Sequence, residues 1–373
     1  MRGSEPWAKR PGSEAAKSGK RVFGAMRFLF DVVHPAHVHF FRHLITELEE
    51  AGHATVVVAR EKDVTTNLLT AYAIPHITVG SAPRPGLVAL GGELLRRDWA
   101  LWRIVRREHI DVVVTRNPSG VQAARLAGVR GVFDTDDGAA VGVHFGAAAP
   151  FAHVITTPDY IGEHYGRKHV TYPSYQALAF LHPNRFTPDL AVRSELGVRE
   201  AEPYSIVRFV AFAASHDVKQ RGLPTDAKRT VVDRLGAHGA VFVTSESPLP
   251  ADLQQYALPV APHRLHDALA FAAVCVTDGQ SMAGEAAALG VPSVRYSSFS
   301  GSIAVFREMH ERYGLVFEFR PGDDDAFLRS VDELASSTDR AIWAERRAQL
   351  LADKCDLTTW FADFLTNLRR SRS

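Results

Sequence analysis

An α/β protein built as two parallel-sheet halves is the fold this sequence predicts, on three observations. From Met26 onward, short aliphatic and β-branched runs alternate with segments of helical period. A proline-punctuated stretch near residues 171–204 interrupts that rhythm, and the rhythm then resumes. Such alternation marks βαβ units, whose strands are covered on both faces and so read as continuous apolar runs. The expected architecture is two Rossmann-like domains facing each other across a cleft and closed by C-terminal helices.

The elements follow in order. Residues 27–33 (RFLFDVV) form a buried strand. In residues 37–51, Phe40, Phe41, Leu44, Ile45 and Leu48 make one helical stripe, and Gly52 sits where a C-terminal cap belongs. Further strands are expected at 55–59, 76–79, 111–115, 131–134 and 153–156. Pro173, Pro183, Pro188 and Pro203 mark an interdomain connection. Strands at 205–213, 240–244, 273–277 and 292–296 then alternate with helices at 225–235, 266–271, 281–289 and 302–312, and the last 50 residues read as helical. The expected divisions are a disordered tail 1–25, an N-terminal domain 26–172, a linker 173–203 and a C-terminal domain 204–354. A last helix, 355–373, packs back on the N-terminal domain. Met26 opens directly on a strand and reads as a natural start.

The 373 residues suffice for two cores, and 46% hydrophobic with 23% charged residues is ordinary for a globular protein. A formal charge of +1 sets up no global field for nucleic acid or an anionic membrane. Two cysteines, Cys275 and Cys355, rule out a disulfide framework and suit a reducing compartment, so the expected location is cytoplasmic. No run approaches the ~20 apolar residues of a membrane span.

The most informative stretch is residues 274–294, VCVTDGQSMAGEAAALGVPSV. A strand ends at Thr277 and Asp278, a Gly279-Gln280 turn follows, and Ser281 opens a helix. A helix N-terminus offers free N–H groups and a positive dipole end to a diphosphate. Glu285, one turn in, could accept hydrogen bonds from ribose hydroxyls. The plainer alternative is an ordinary strand-turn-helix with Ser281 as cap.

This segment resembles the nucleotide-binding motif of GT-B-fold glycosyltransferases and UDP-N-acetylglucosamine 2-epimerases. The epimerases carry Asp-Ser-Gly-Gly with Glu-Ala following seven residues after the Asp. Asp278 and Glu285-Ala286 keep that spacing, while Gly279, Gln280 and Ser281 depart from it. Across Met26 to about Val316 the chain also resembles an uncharacterised prokaryotic family, domain of unknown function 354. The phrases HPAHVHFF, YPSYQALAFLHPNRFTPD, VRFVAFAASHD and TDGQSMAGEAAALGVPSV carry that likeness. The resemblance implies the GT-B fold, a nucleotide-sugar substrate and no bound metal or other cofactor. It implies a nucleobase near residues 261–265 (APHRL), where Arg264 could pair with phosphate or simply be solvated.

Four histidines, His34, His37, His39 and His43, follow the first strand. His39 and His43 have an i,i+4 metal-ligand spacing, but no Asp, Glu or Cys adjoins them. Ala36-His37-Val38 resembles the Gly-His-Val of transferases that place a histidine as general base. His37 is therefore the first catalytic candidate and His34 the second, with helix capping or a backbone bond as the alternative. In the second half, Lys219 and Arg221 could clamp a diphosphate, or be a solvated basic loop. His216 stands where the epimerases open a basic motif. Epimerase chemistry needs acids on first-domain loops. The loop Thr115-Arg116-Asn117-Pro118 has none, although Asp134, Asp136 and Asp137 follow the next strand.

Residues 84–107 mix leucines, Trp99 and Trp102 with arginines, which suits either an interfacial helix on anionic lipid or a sheet-packed helix with a solvated basic face. The expected function is a glycosyltransferase moving a sugar from a nucleotide-diphosphate donor to an unidentified acceptor, a lipid-linked one among the options, in cell-surface glycan or glycoconjugate biosynthesis. The alternatives are a sugar-nucleotide 2-epimerase and a non-catalytic nucleotide-sugar binder. No nucleic-acid partner is expected.

Overall fold

A computed structural model describes residues 24–60, 63–80, 87–210, 223–245 and 247–368. The expected tail 1–25 therefore lies almost wholly outside the described residues. The chain divides into two compact units, one of Met1–Pro158, Gly162–Tyr172 and Thr358–Ser373, the other of Asp159–Ile161 and Pro173–Leu357. The proline-rich stretch 173–203 thus belongs to the second unit.

The first unit runs β1 (Arg27–Val32), α1 (Pro35–Glu50), β2 (Ala54–Ala59), α2 (Asp63–Ala71), β3 (Ile77–Thr78), α3 (Leu87–Arg107), β4 (Val112–Thr115), α4 (Pro118–Ala127), β5 (Arg130–Asp134), α5 (Gly142–Ala148), β6 (Val154–Pro158) and β7 (His169–Tyr172). Its strands form one parallel sheet in the order β3-β2-β1-β4-β5-β6-β7. Phe28, Leu29, Phe30, Val113 and Val114 are fully buried, as central strands covered on both faces require. Helix α1 starts with Pro35 in its first turn, and Gly52 (φ 83) turns the chain left-handed after its end. Gly120 in α4 is forced by close approach, since a Cβ there would lie 2.6 Å from Cβ of Thr115.

The second unit runs α6 (Val192–Glu195), β8 (Tyr204–Phe209), α7 (Thr225–Gly236), β9 (Ala240–Ser245), α8 (Leu265–Ala270), β10 (Cys275–Thr277), α9 (Ser281–Leu289), β11 (Ser293–Tyr296), α10 (Ala304–Glu311), β12 (Val316–Phe319), α11 (Asp324–Ser336) and α12 (Ala341–Asp353). Its parallel sheet has the order β12-β11-β10-β8-β9. Cys275 is core, and burial pushes its thiol pKa up.

The final helix, α13 (Leu357–Asn367), belongs almost entirely to the first unit. Phe361 meets Phe40 of α1 at 5.6 Å between ring centroids, and Trp360 meets Tyr172 of β7 at 5.3 Å. Among the described residues no helix is long and apolar enough to cross a membrane.

Two strands escape the sequence reading, β7 (HVTY) and β12 (VFEF). Both lie at sheet edges and are only partly covered, so neither shows the continuous apolar run of a central strand.

Candidate functional site

Each sheet reverses its strand order once, between β1 and β4 in the first unit and between β8 and β10 in the second. At a reversal the connections leaving the two neighbouring strands go to opposite faces, which opens a crevice beyond their carboxyl ends. The sequence candidates gather at these two points.

In the first unit β1 delivers Val33 to His37. His34 is the N-cap of α1, its Nδ1 accepting from the Ala36 N–H at 3.2 Å. The capping role weighed for His37 therefore falls to His34, whose ring remains exposed. His37 accepts at Nδ1 from the Val33 N–H at 3.4 Å. Burial, reinforced by Arg116, His34 and His144, holds its pKa well below the ordinary value, so the ring is unprotonated at neutral pH. Action as a base through Nε2 requires the tautomer with hydrogen on Nδ1. That gives up the Val33 bond, which at 3.4 Å is too long to resist the change strongly.

Beside these histidines, Arg116 follows the end of β4 and Asp134 ends β5. Arg116 Nε lies 3.3 Å from Oδ2 of Asp134, and its Nη2 is paired with Asp136. His144 of α5 contacts the Arg116 carbonyl oxygen at 3.1 Å. Asp134 also accepts from Thr156 Oγ1 at 2.9 Å. Burial raises the Asp134 pKa to about 6 against the pull of Arg116. Asp137 is pushed up to about 7, first by neighbouring Asp136 and then by burial. Asp134 and Asp137, both raised toward neutrality, act on Arg116, which also acts electrostatically on the unprotonated His37, and groups of this kind are able to take and return protons. The missing acid on the Thr115–Pro118 loop is thus offset by carboxylates arriving from β5. His144 had no motif to announce it.

Beneath this loop, Asp31 on β1 and Arg97 on α3 form a fully buried ion pair. Thr115 Oγ1 donates to Asp31 at 3.1 Å, and Arg97 also donates to the Val79 carbonyl.

His39 is buried against Tyr72, with ring centroids 5.8 Å apart, which makes it a packing residue. Among the described residues no group of three or more His, Cys, Asp or Glu side chains is arranged to hold a metal ion.

In the second unit, β10 ends at Thr277, and α9 starts at Ser281 with no side chain capping its first turn. Ser281 is exposed there and Gln280 precedes it as the cap residue. Asp278 is buried, accepting from the Val210 N–H at 2.8 Å and the Leu223 N–H at 3.3 Å. Burial raises its pKa to about 6. Val210 and Leu223 flank residues 211–222, so Asp278 holds both ends of that connection and faces protein. Its expected ligand contact is replaced by this positioning role. His216, Lys219 and Arg221 lie outside the described residues.

Gly279 is required by crowding: a Cβ would lie 2.8 Å from Cγ1 of Val210 and 3.3 Å from Oγ1 of Thr277. Its N–H donates to Thr277 Oγ1 at 2.9 Å, and its carbonyl accepts from Nε of Arg295 at 3.1 Å. Arg295, fully buried on β11, also pairs with Glu318 at 2.6 Å. The sequence reading passed over Arg295 because an arginine inside an apolar strand carries no motif. Substitution Arg295→Lys keeps the charge but loses the fork that reaches both partners. The expected cost is about 1–3 kcal/mol, read as a lower Tm.

Glu285, 12% exposed, faces His266 of α8 with 3.4 Å between its Oε2 and the ring Nε2. Lys228 of α7 stands over the Phe209 ring at 4.7 Å and acts electrostatically on Asp278, placing an unforeseen cation near the turn. Arg264 is corrected. It pairs with Glu195 at 2.8 Å, Asp189 at 2.9 Å and Asp267 at 2.9 Å, so three carboxylates engage its guanidinium in a structural hub. A phosphate would have to displace them.

No protein-family model and no curated protein matches the chain. Solved structures do. The chain is similar to a UDP-N-acetylglucosamine 2-epimerase at 12% identity and TM-score 0.66, over 94% of this chain and 98% of that one. It is similar to the UDP-GlcNAc 2-epimerase from Methanocaldococcus jannaschii at 13% identity and TM-score 0.60, over 88% and 99%. It is also similar to the Streptomyces sp. SF2575 glycosyltransferase SsfS6, complexed with thymidine diphosphate, at 15% identity and TM-score 0.58, over 93% and 100%. Likeness at these identities establishes the fold, and the chain has the GT-B fold of two Rossmann-like domains.

Proposed function

We propose that this protein is an enzyme that transfers a sugar from a nucleotide-diphosphate donor to an acceptor. One observation carries the reading: both strand-order reversals hold suitable chemistry, an uncapped helix tip in one unit and a proton-transfer set in the other. The diphosphate rests on the α9 tip at Gly279, Gln280 and Ser281, and the ribose hydroxyls bond to Glu285. Lys228, with Lys219 and Arg221 of the adjoining connection, neutralises charge growing on the leaving diphosphate, so the reaction needs no metal. His37 takes the acceptor proton, with Asp134 and Asp137 as its partners in proton handling. In this reading the protein works in the cytoplasm on cell-surface glycan or glycoconjugate precursors.

A second reading, sugar-nucleotide 2-epimerisation, is favoured by the near-neutral carboxyl groups gathered around Arg116. Proton removal at sugar C2 calls for such acids.

A panel of UDP-, GDP-, ADP- and dTDP-sugars, followed by thermal stability and by free nucleotide, tests both. A matching donor at about 100 times its Kd stabilises by roughly 2.7 kcal/mol, and Glu285→Ala abolishes the gain. In heavy water an epimerase leaves deuterium at C2, whereas a transferase releases nucleotide only with an acceptor. Stabilisation with neither reaction marks a binder. No shift with any member of the panel removes the reading.

A further inference from the structure

We propose that the outward face of α3 docks the protein on an anionic lipid surface. The helix turns Arg97, Leu101, Ile104 and Val105 into the unit, all buried. Leu95, Trp99, Trp102 and Arg106 recur at i, i+4, i+7 and i+11, which puts them on one opposite stripe. Leu95 is 71% and Trp99 60% exposed, among the largest exposed apolar side chains described. Trp102 is half-buried against the core of the unit, and Trp99 stacks on it at 4.6 Å between centroids, which holds the exposed Trp99 indole in place. Arg96, Arg103, Arg106 and Arg107 are all exposed on the same helix. Arg107 pairs with Glu108, whereas Arg96, Arg103 and Arg106 make no ion pair among the described residues. Asp98 is the one carboxylate among the described side chains of α3, and it is half-buried. Arg84 and the side chains of residues 87–91 and of Glu93 lie outside the described residues.

Apolar and indole side chains between arginines are what an interfacial helix requires, with rings at the headgroup boundary and guanidinium groups on phosphates. A second copy of the chain is a poor occupant. Two-fold packing would set these arginines against their own copies, and the described side chains of the face include no exposed carboxylate to answer them. An anionic bilayer answers both the charge and the apolar stripe.

The test floats the full chain with vesicles of phosphatidylcholine, with and without phosphatidylglycerol, in the absence of nucleotide. Any result is therefore independent of the donor reading. The chain is expected to rise with the anionic vesicles, not with neutral ones, and to bind less as salt increases. Leu95→Ser with Trp99→Ser should lower partitioning at least tenfold, and Arg103→Gln with Arg106→Gln about fivefold per arginine. Both double variants change exposed positions and should keep the wild-type Tm, which separates lost docking from lost folding. Failure to float, equal binding to neutral vesicles, or a solution dimer that Trp99→Ser dissolves would each overturn the proposal.

Discussion

Replacing Asp31 with alanine is expected to destabilise the first unit by roughly 3–5 kcal/mol, a fall in Tm on the order of 10 °C. The size follows from burial. Asp31 and Arg97 are both fully enclosed, and removing the carboxylate strands a guanidinium with only the Val79 carbonyl to satisfy it. Water cannot reach the site to compensate. Removing both charges with Asp31→Ala and Arg97→Met should cost less than the two single changes summed, because neither partner is then left charged and alone. Denaturant titration of the four proteins checks this. Strict additivity would show that the pair is not coupled.

The second large effect is expected at Asp134. Asp134→Asn should lower turnover of the matching nucleotide-sugar by about 10²–10⁴-fold while the protein still folds, because the amide keeps the shape but cannot carry a proton. The wild-type rate should change through a pH limb near 6, where this carboxyl titrates, and that limb should vanish in the variant. Stability supplies an independent readout. The folded-state pKa lies above that of an unfolded aspartate, so the protonated group's share of stability is full below about pH 4. It is lost as pH rises through about 6. Asp278 is raised to the same value and Asp137 to about 7, so wild type should weaken through this window by three contributions and Asp134→Asn by two. Thermal unfolding between pH 4 and pH 8 measures the difference. An unchanged pH dependence would show that Asp134 does not titrate there.

The central strands and most helices were legible because parallel strands buried on both faces leave apolar runs, and helices leave a stripe. The short motif at Asp278–Glu285 was legible as a strand, turn and helix for the same reason. The role of each side chain in it was not. Asp278 looked like a ligand residue because motif spacing locates a residue without its orientation, and its carboxylate turns back to two backbone N–H groups. Arg264 looked available because its three carboxylate partners are brought to it by the fold, one from three residues away and two from the 189–195 segment. Arg97 lies within the arginine-rich stretch 84–107, yet the helix turns it inward onto Asp31. Long-range pairing of charged groups leaves no periodic trace, which is why the ion pairs were the part that sequence reasoning missed.

The placement of α13 has a bearing on how the chain matures on the ribosome. The residues that cover Phe40 and Tyr172, namely Trp360 and Phe361, are translated after the second unit. Arg130, at the start of β5, likewise donates to the carbonyl of Leu368. Almost all of the second unit is synthesised between the two parts of the first. The earlier-made unit must therefore wait, with an aromatic surface uncovered, until the second unit has been made. A nascent chain stalled or clipped just before α13 would carry an intact second unit and an unfinished first one, a ready client for chaperones and proteolysis.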